Sequence, residues 1–135
     1  MKNLLIIIAA LVLVSCADSK KETEKKLRDE VIAIHDSIMP EMRTIRDLQK
    51  ELEVKIQELD SSSVAQLEEL ESKSEKLESA GDEMMKWMRD YEDDFEDKTP
   101  EEIIEYLKKQ KELITKVENE MTSAISEAKE YVEEK

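Results

Sequence analysis

The chain holds one glycine, two prolines, one cysteine, one histidine and five aromatic side chains among 135 residues. Each scarcity excludes something. One glycine rules out a glycine-rich phosphate loop and leaves few tight turns. One cysteine rules out an intramolecular disulfide and a thiolate metal cage. One histidine rules out a His-paired di-iron bundle, which needs Glu-x-x-His on two helices; the residue three before His35 is Ile32. No strand-like alternation and no internal repeat occur. Basic charge is also short, at 21 Lys and Arg against 35 Asp and Glu, for a net charge of −14. A chain of that sign lacks the basic footprint that nucleic-acid binding requires. The carboxylates have no partner that would set one apart as an acid or base, so the expectation is a protein without catalysis.

What is present begins at the N-terminus. Lys2 precedes an apolar run, Leu4 to Val14, of 11 residues. A bilayer span needs about 20. The run instead fits a secretory leader, a cationic start followed by a greasy segment and a small residue at the cut. Leu13-Val14-Ser15-Cys16 closes it and looks like the lipobox of a bacterial lipoprotein, cut between Ser15 and Cys16, with Cys16 acylated. Such lipoproteins carry three acyl chains, and two or more hold a protein firmly on a bilayer. Ala17 is not the aspartate that, in enteric bacteria, retains lipoproteins in the inner membrane, so the rule favours the outer membrane. The expected organisation is a leader over 1–15, an acylated Cys16 with a tether over 16–23, and one domain over 24–135. Loss of the leader leaves 20 basic against 35 acidic residues, a net of −15. Anionic lipid repels such a domain except at its anchor.

Charged residues make up 41% of the chain, a composition that alone permits disorder. Regular apolar spacing argues for long helices instead. A four-three alternation from Leu27 lands on Val31, Ile34, Ile38, Glu41, Ile45, Leu48, Leu52, Lys55 and Leu59, apolar at all but Glu41 and Lys55. A second flank, Ile32, His35, Met39, Met42 and Ile56, predicts more than one neighbour for this helix. Pro40 predicts a kink near Met39. Asp60-Ser61-Ser62-Ser63 predicts a turn, and Ser63 with Gln66 fits a capping box. The second seam is Leu67, Leu70, Ser74, Leu77, Gly81, Met84, Met88, Tyr91 and Phe95, with Gly81 expected to admit a close neighbour. Thr99-Pro100-Glu101-Glu102 is a strong helix start, with Thr99 as cap, Pro100 first and Glu102 completing the box. The third seam runs Ile103, Leu107, Gln110, Ile114, Val117, Met121, Ala124, Ala128 and Tyr131. Glu51/Lys55, Glu69/Lys73, Glu105/Lys109 and Glu112/Lys116 are spaced for surface ion pairs of about 0.3 kcal/mol each.

These patterns predict an all-α fold, an up-down-up antiparallel three-helix bundle with helices over about 24–60, 63–96 and 100–133, joined by short turns. Shoulder positions Met42, Ile56, Ile104, Ile125 and Val132 leave room for a closed bundle or a homo-oligomer. Folding the first helix back on the second places residues whose numbers sum to about 123 at one level. His35 then lies opposite Trp87 and Met88, and Met39 opposite Met84, with Met42 and Met85 close by. Two readings follow. Imidazole and thioethers suit Cu(I), which gives a candidate site of His35, Met39, Met84 and Met88. Methionine also fills irregular core gaps, and packing is the favoured reading.

Three blocks carry a resemblance: Ala33-Ile34-His35-Asp36-Ser37-Ile38-Met39-Pro40-Glu41-Met42, Met84-Met85-Lys86-Trp87-Met88-Arg89 and Thr99-Pro100-Glu101-Glu102. They look like a group of short bacterial lipoproteins often labelled "viral A-type inclusion protein". The resemblance covers most of the chain after Cys16 and implies a small helical lipoprotein. It carries no activity, cofactor or residue role. The expected function is a membrane-anchored periplasmic module that engages an envelope protein. The alternatives are an envelope Cu(I)-binding protein and a chaperone-like holdase with a groove between its helices.

Overall fold

The computed structural model describes residues 2–60 and 63–134, with side chains over 18–60 and 63–133. Four helices follow one another: α1 (Lys2–Ile38), α2 (Glu41–Glu58), α3 (Val64–Asp90) and α4 (Pro100–Glu134). Among the described residues there is no strand. α1 and α2 form one bent rod, so the molecule is a bundle of three rods.

The bend falls where Pro40 predicts it. Proline has no N–H to give the carbonyl one turn back. The chain tightens there, with the Met42 and Arg43 amides donating to Met39 O at 3.2 Å and Pro40 O at 3.1 Å. Pro40 itself keeps helical angles, φ −59° and ψ −27°, so α2 restarts at once.

Pairings between rods set their directions. Lys20 pairs with Glu101, and Lys111 reaches Glu30 at 2.9 Å, so α1 and α4 run parallel at a constant offset. Lys76 meets Glu127 at 2.6 Å while Lys73 lies over the Tyr131 ring, so α3 and α4 are antiparallel. Gly81 faces Met42 and Ile45, while Lys55 and Leu59 share a hollow with Gln66 and Leu70, so α2 and α3 are antiparallel near the register of the 123 sum.

α4 is the shared helix. All nine positions of its seam, from Ile103 to Tyr131, are buried, and Ile125 joins them from the shoulder. α1, α2 and α3 all pack on it. Leu107, Ile114 and Met121 are fully sealed, each contributing about 1.5–3 kcal/mol of apolar burial. Val31, Ile45 and Leu52 from the bent rod, and Leu70, Leu77 and Met84 from α3, close the core.

The Thr99 start forms as expected. Glu102 Oε2 accepts from the Thr99 amide at 2.8 Å and the Thr99 hydroxyl accepts from the Glu102 amide at 3.4 Å. The Thr99 amide, with the Thr99 hydroxyl donating to the same oxygen at 2.8 Å, holds the Glu102 carboxyl below its ordinary pKa. At Ser63 no side-chain cap bond forms; the backbone carbonyl alone receives Gln66 and Leu67, so the expected box with Gln66 is absent. Ser61 and Ser62 lie outside the described residues.

Other expectations shift. The segment 16–23 continues α1 rather than forming a tether, and the Thr23 hydroxyl donates to Ser19 O at 2.9 Å within it. α3 stops at Asp90, short of the expected 96, with Tyr91 extended at φ −73° and ψ 125°. Carboxylates at Asp90, Glu92, Asp93 and Asp94 oppose the negative end of a helix and disfavour its continuation. The i,i+4 ion pairs described are Lys25–Asp29, Arg28–Glu24, Arg43–Asp47 and Lys116–Glu120, so Lys116 turns forward and not to Glu112.

Gly81 does not serve close approach. A Cβ built there meets Met42 Cε at 3.6 Å and Ile45 Cγ2 at 3.8 Å, ordinary van der Waals contact. Its φ is not positive either. Gly81→Ala therefore removes an entropic cost without strain and should raise stability by about 0.5–1 kcal/mol. Urea unfolding checks this, and a lower midpoint would show that the α2–α3 contact is tighter than described.

Candidate functional site

The site residues fall into two groups. Ser15 and Cys16 belong to the first, and their side chains lie outside the described residues. Their chain position is within α1, about one helical turn before the Lys20–Glu101 pair at the head of α4. Among the described residues, no helix is long and apolar enough to cross a membrane.

The second group is the His/Met/Trp layer. The His35 and Trp87 rings stack with centroids 5.6 Å apart and planes 29° from parallel, as the fold-back register requires. Met39, Met84 and Met88 pack in the same core cluster. Their depths differ. Met84 is 0% exposed, Met39 and Met88 are half-buried, and Met85 stands 40% exposed on another face. The His35 Nδ1 lies 2.9 Å from Asp36 Oδ1, at the surface. Methionine packing accounts for an imidazole at the rim beside a thioether sealed in the apolar cluster. Among the described residues, no group of three or more His, Cys, Asp or Glu is arranged to hold a metal.

The stack at His35 does not end at Trp87. Tyr91 lies 4.9 Å from Trp87, Tyr106 lies 6.2 Å from Tyr91, and Phe95 lies 5.5 Å from Tyr106. The only tryptophan, the only phenylalanine and two of three tyrosines thus form one string with the only histidine. The string runs between α1 and α3, each of which packs on α4. Two cations hold its far end. Arg28 sits 4.8 Å above Phe95 and donates to Asp93 O at 3.1 Å; Lys98 lies 5.6 Å from Phe95 and reaches Glu92 at 2.8 Å. These contacts tie the α3–α4 turn to α1. The Glu92 amide donates to Tyr106 Oη at 2.7 Å, which satisfies backbone that the end of α3 exposes.

Among the described residues, Trp87 Nε1 and Tyr91 Oη in the string are buried without a hydrogen-bond partner. Burial pushes the Tyr91 and Tyr106 phenols above their ordinary pKa. Gln110 is the only polar residue in the core, 8% exposed, and no hydrogen bond within the chain engages its amide among the described residues.

Sequence reasoning brought His35 and Trp87 together and placed Met39, Met84 and Met88 beside them. It missed the ring string, because Tyr91 and Phe95 were assigned to a helical seam. The available signal was the clustering of four of the five aromatic residues between 87 and 106. No known family model, curated protein or solved structure matches the chain.

The packed-core arrangement has a spectroscopic consequence. Cu(I) titrated under a competing chelator should leave Trp87 emission unchanged. A one-to-one quench abolished by His35→Ala would instead assign the layer to metal binding.

Proposed function

We propose that this protein is a non-enzymatic helical interaction module of the cell envelope, anchored to a membrane through acylated Cys16. The observation that carries the reading is Leu13-Val14-Ser15-Cys16, at the end of an apolar run too short to span a bilayer. The fold supports it. A rod-like bundle with charged outer faces presents long helical surfaces, and helical grooves are a common mode of peptide recognition. Anchoring at Cys16 sets the α3–α4 turn nearest the bilayer, since Lys20 is already level with Glu101. Glu92, Asp93, Asp94, Glu96 and Asp97 in that turn are repelled by anionic headgroups and hold the bundle upright. The outer membrane is the proposed location, and an envelope protein the proposed partner.

Metabolic labelling with an alkyne palmitate, followed by membrane fractionation, tests the anchor. The full chain should be labelled and sediment with membranes. Cys16→Ser should lose the label and accumulate as uncleaved precursor. An unlabelled wild-type chain, or a Cys16→Ser chain that still takes the label, contradicts the reading.

A further inference from the structure

One surface of the bundle has the shape and chemistry to receive another helix. Along the α3–α4 seam lie two hollows of ≈ 340 and ≈ 190 Å³. Both are lined by Glu83, Lys116 and Glu120, so they join into one groove. It runs from Lys76 to Asp90 on α3, about 21 Å at 1.5 Å per residue. Neither α1 nor α2 contributes a lining residue.

Its floor changes along its length. At one end Ala80 and Ala124 are buried and Ser79 and Ser123 flank them. Small side chains there let a second backbone come within the 8–10 Å of packed helices. At the other end Trp87 and Val117 form the floor, and Leu113 stands 40% exposed on the wall. The Gln110 amide opens at this end with no bond inside the chain. An amide without an internal partner, its polar atoms open to the groove, is a ready donor and acceptor for an incoming group.

Charge selects the occupant. Lys76 is paired with Glu127 and Lys116 with Glu120. Glu83 and Asp90 remain on the rim against Lys86 alone, on a chain of net charge −14. A second copy carries the same net charge of −14 over the whole molecule and is repelled. A cationic segment is attracted and steered.

We propose that the α3–α4 seam is a docking groove for a cationic amphipathic helix of a partner protein, which completes a four-helix arrangement. The proposal deepens the interaction-module reading and rests on it. Apolar residues of the incoming helix at i, i+3/i+4 and i+7 cover the Ala80–Ala124 floor and the Leu113–Val117–Trp87 end. Its lysines or arginines meet Glu83 and Asp90. The length of the groove fits about four helical turns.

The test uses the full chain in nonionic detergent, with peptide binding to empty micelles subtracted. The probe is an 18-residue synthetic amphipathic helix of Leu, Ala and Lys, free of tryptophan. Calorimetry gives the affinity, and Trp87 emission reports the site. The intact peptide should bind one-to-one and shift Trp87 emission. A scrambled peptide of the same composition should bind at least tenfold more weakly, and a version with Glu for Lys should not bind. Leu113→Lys and, at the other end, Ser79→Arg should each weaken binding about tenfold. Val64→Lys, exposed and outside the groove, should not. Circular dichroism confirms that each variant is folded, and either blocking variant suffices. Equal binding of intact and scrambled peptides overturns the proposal. So does equal affinity of the folded blocking variants and Val64→Lys. A concentration-dependent dimer dissolved by Leu113→Lys also overturns it and makes a second copy the occupant. The assay needs neither acylation nor a cellular partner, so its failure leaves the palmitate-labelling result standing, and the reverse.

Discussion

Everything in this fold depends on one continuous buried seam on α4, apolar at every position but Gln110. It runs from Ile103 to Tyr131 without an exposed position, and the other rods reach the core through it. Because α1 runs parallel to α4 and α3 antiparallel, α4 is the common wall of two different interfaces. The alanines at 124 and 128 keep the far half of that wall flat. The larger Leu107, Ile114 and Met121 anchor the half beside α1 and the middle of the bundle. A seam shared this way makes the interfaces interdependent, since a cavity opened under Ile114 is felt by every rod that covers it.

The second constraint is the width of the gap between α1 and α3. α1 and α3 each pack closely on α4 and meet one another through side chains, so the space between them is a wedge that aromatic rings fill. His35, Trp87, Tyr91, Tyr106 and Phe95 stack across that wedge, and Arg28 with Lys98 closes it at the turn. This arrangement explains why the aromatic residues are so few and so concentrated. It also accounts for the end of α3. The chain leaves the helix at Tyr91 and goes on to Phe95, so both rings enter the gap while the carboxylates between them stay in water. Below the bend at Pro40, α2 packs on both α3 and α4, and aliphatic side chains with Tyr131 fill the core.

Much of this was legible in the residues. Heptad spacing marked the core positions, because burial on one face of a helix has only one period to satisfy. Pro40 marked the bend and Thr99-Pro100-x-Glu102 marked the start of α4, because each acts through its own backbone and nothing remote competes. The fold-back register put His35 on Trp87 from turn position alone. What was not legible depended on contacts distant in the chain. Helicity from 16 to 23 gains the Lys20–Glu101 pair, and the end of α3 is decided by Arg28 and Tyr106. The Ser63 box is missing because Ser63, at φ −93° and ψ 46°, lies away from the extended angles that aim a cap hydroxyl at the first amides. The groove between α3 and α4 was legible only as small and polar residues near an apolar seam, a pattern that a solvated face shares.

Native-state hydrogen exchange tests the central role of α4 most directly. Amides from Leu107 to Ala128 should exchange only through global unfolding, with equal and maximal protection. Amides of α2 beyond Leu52 and of α1 from Asp18 to Lys26 should open earlier, because fewer buried side chains hold them. Maximal protection in α1 and α2, with α4 opening first, would contradict the account and move the organising interface to the bent rod.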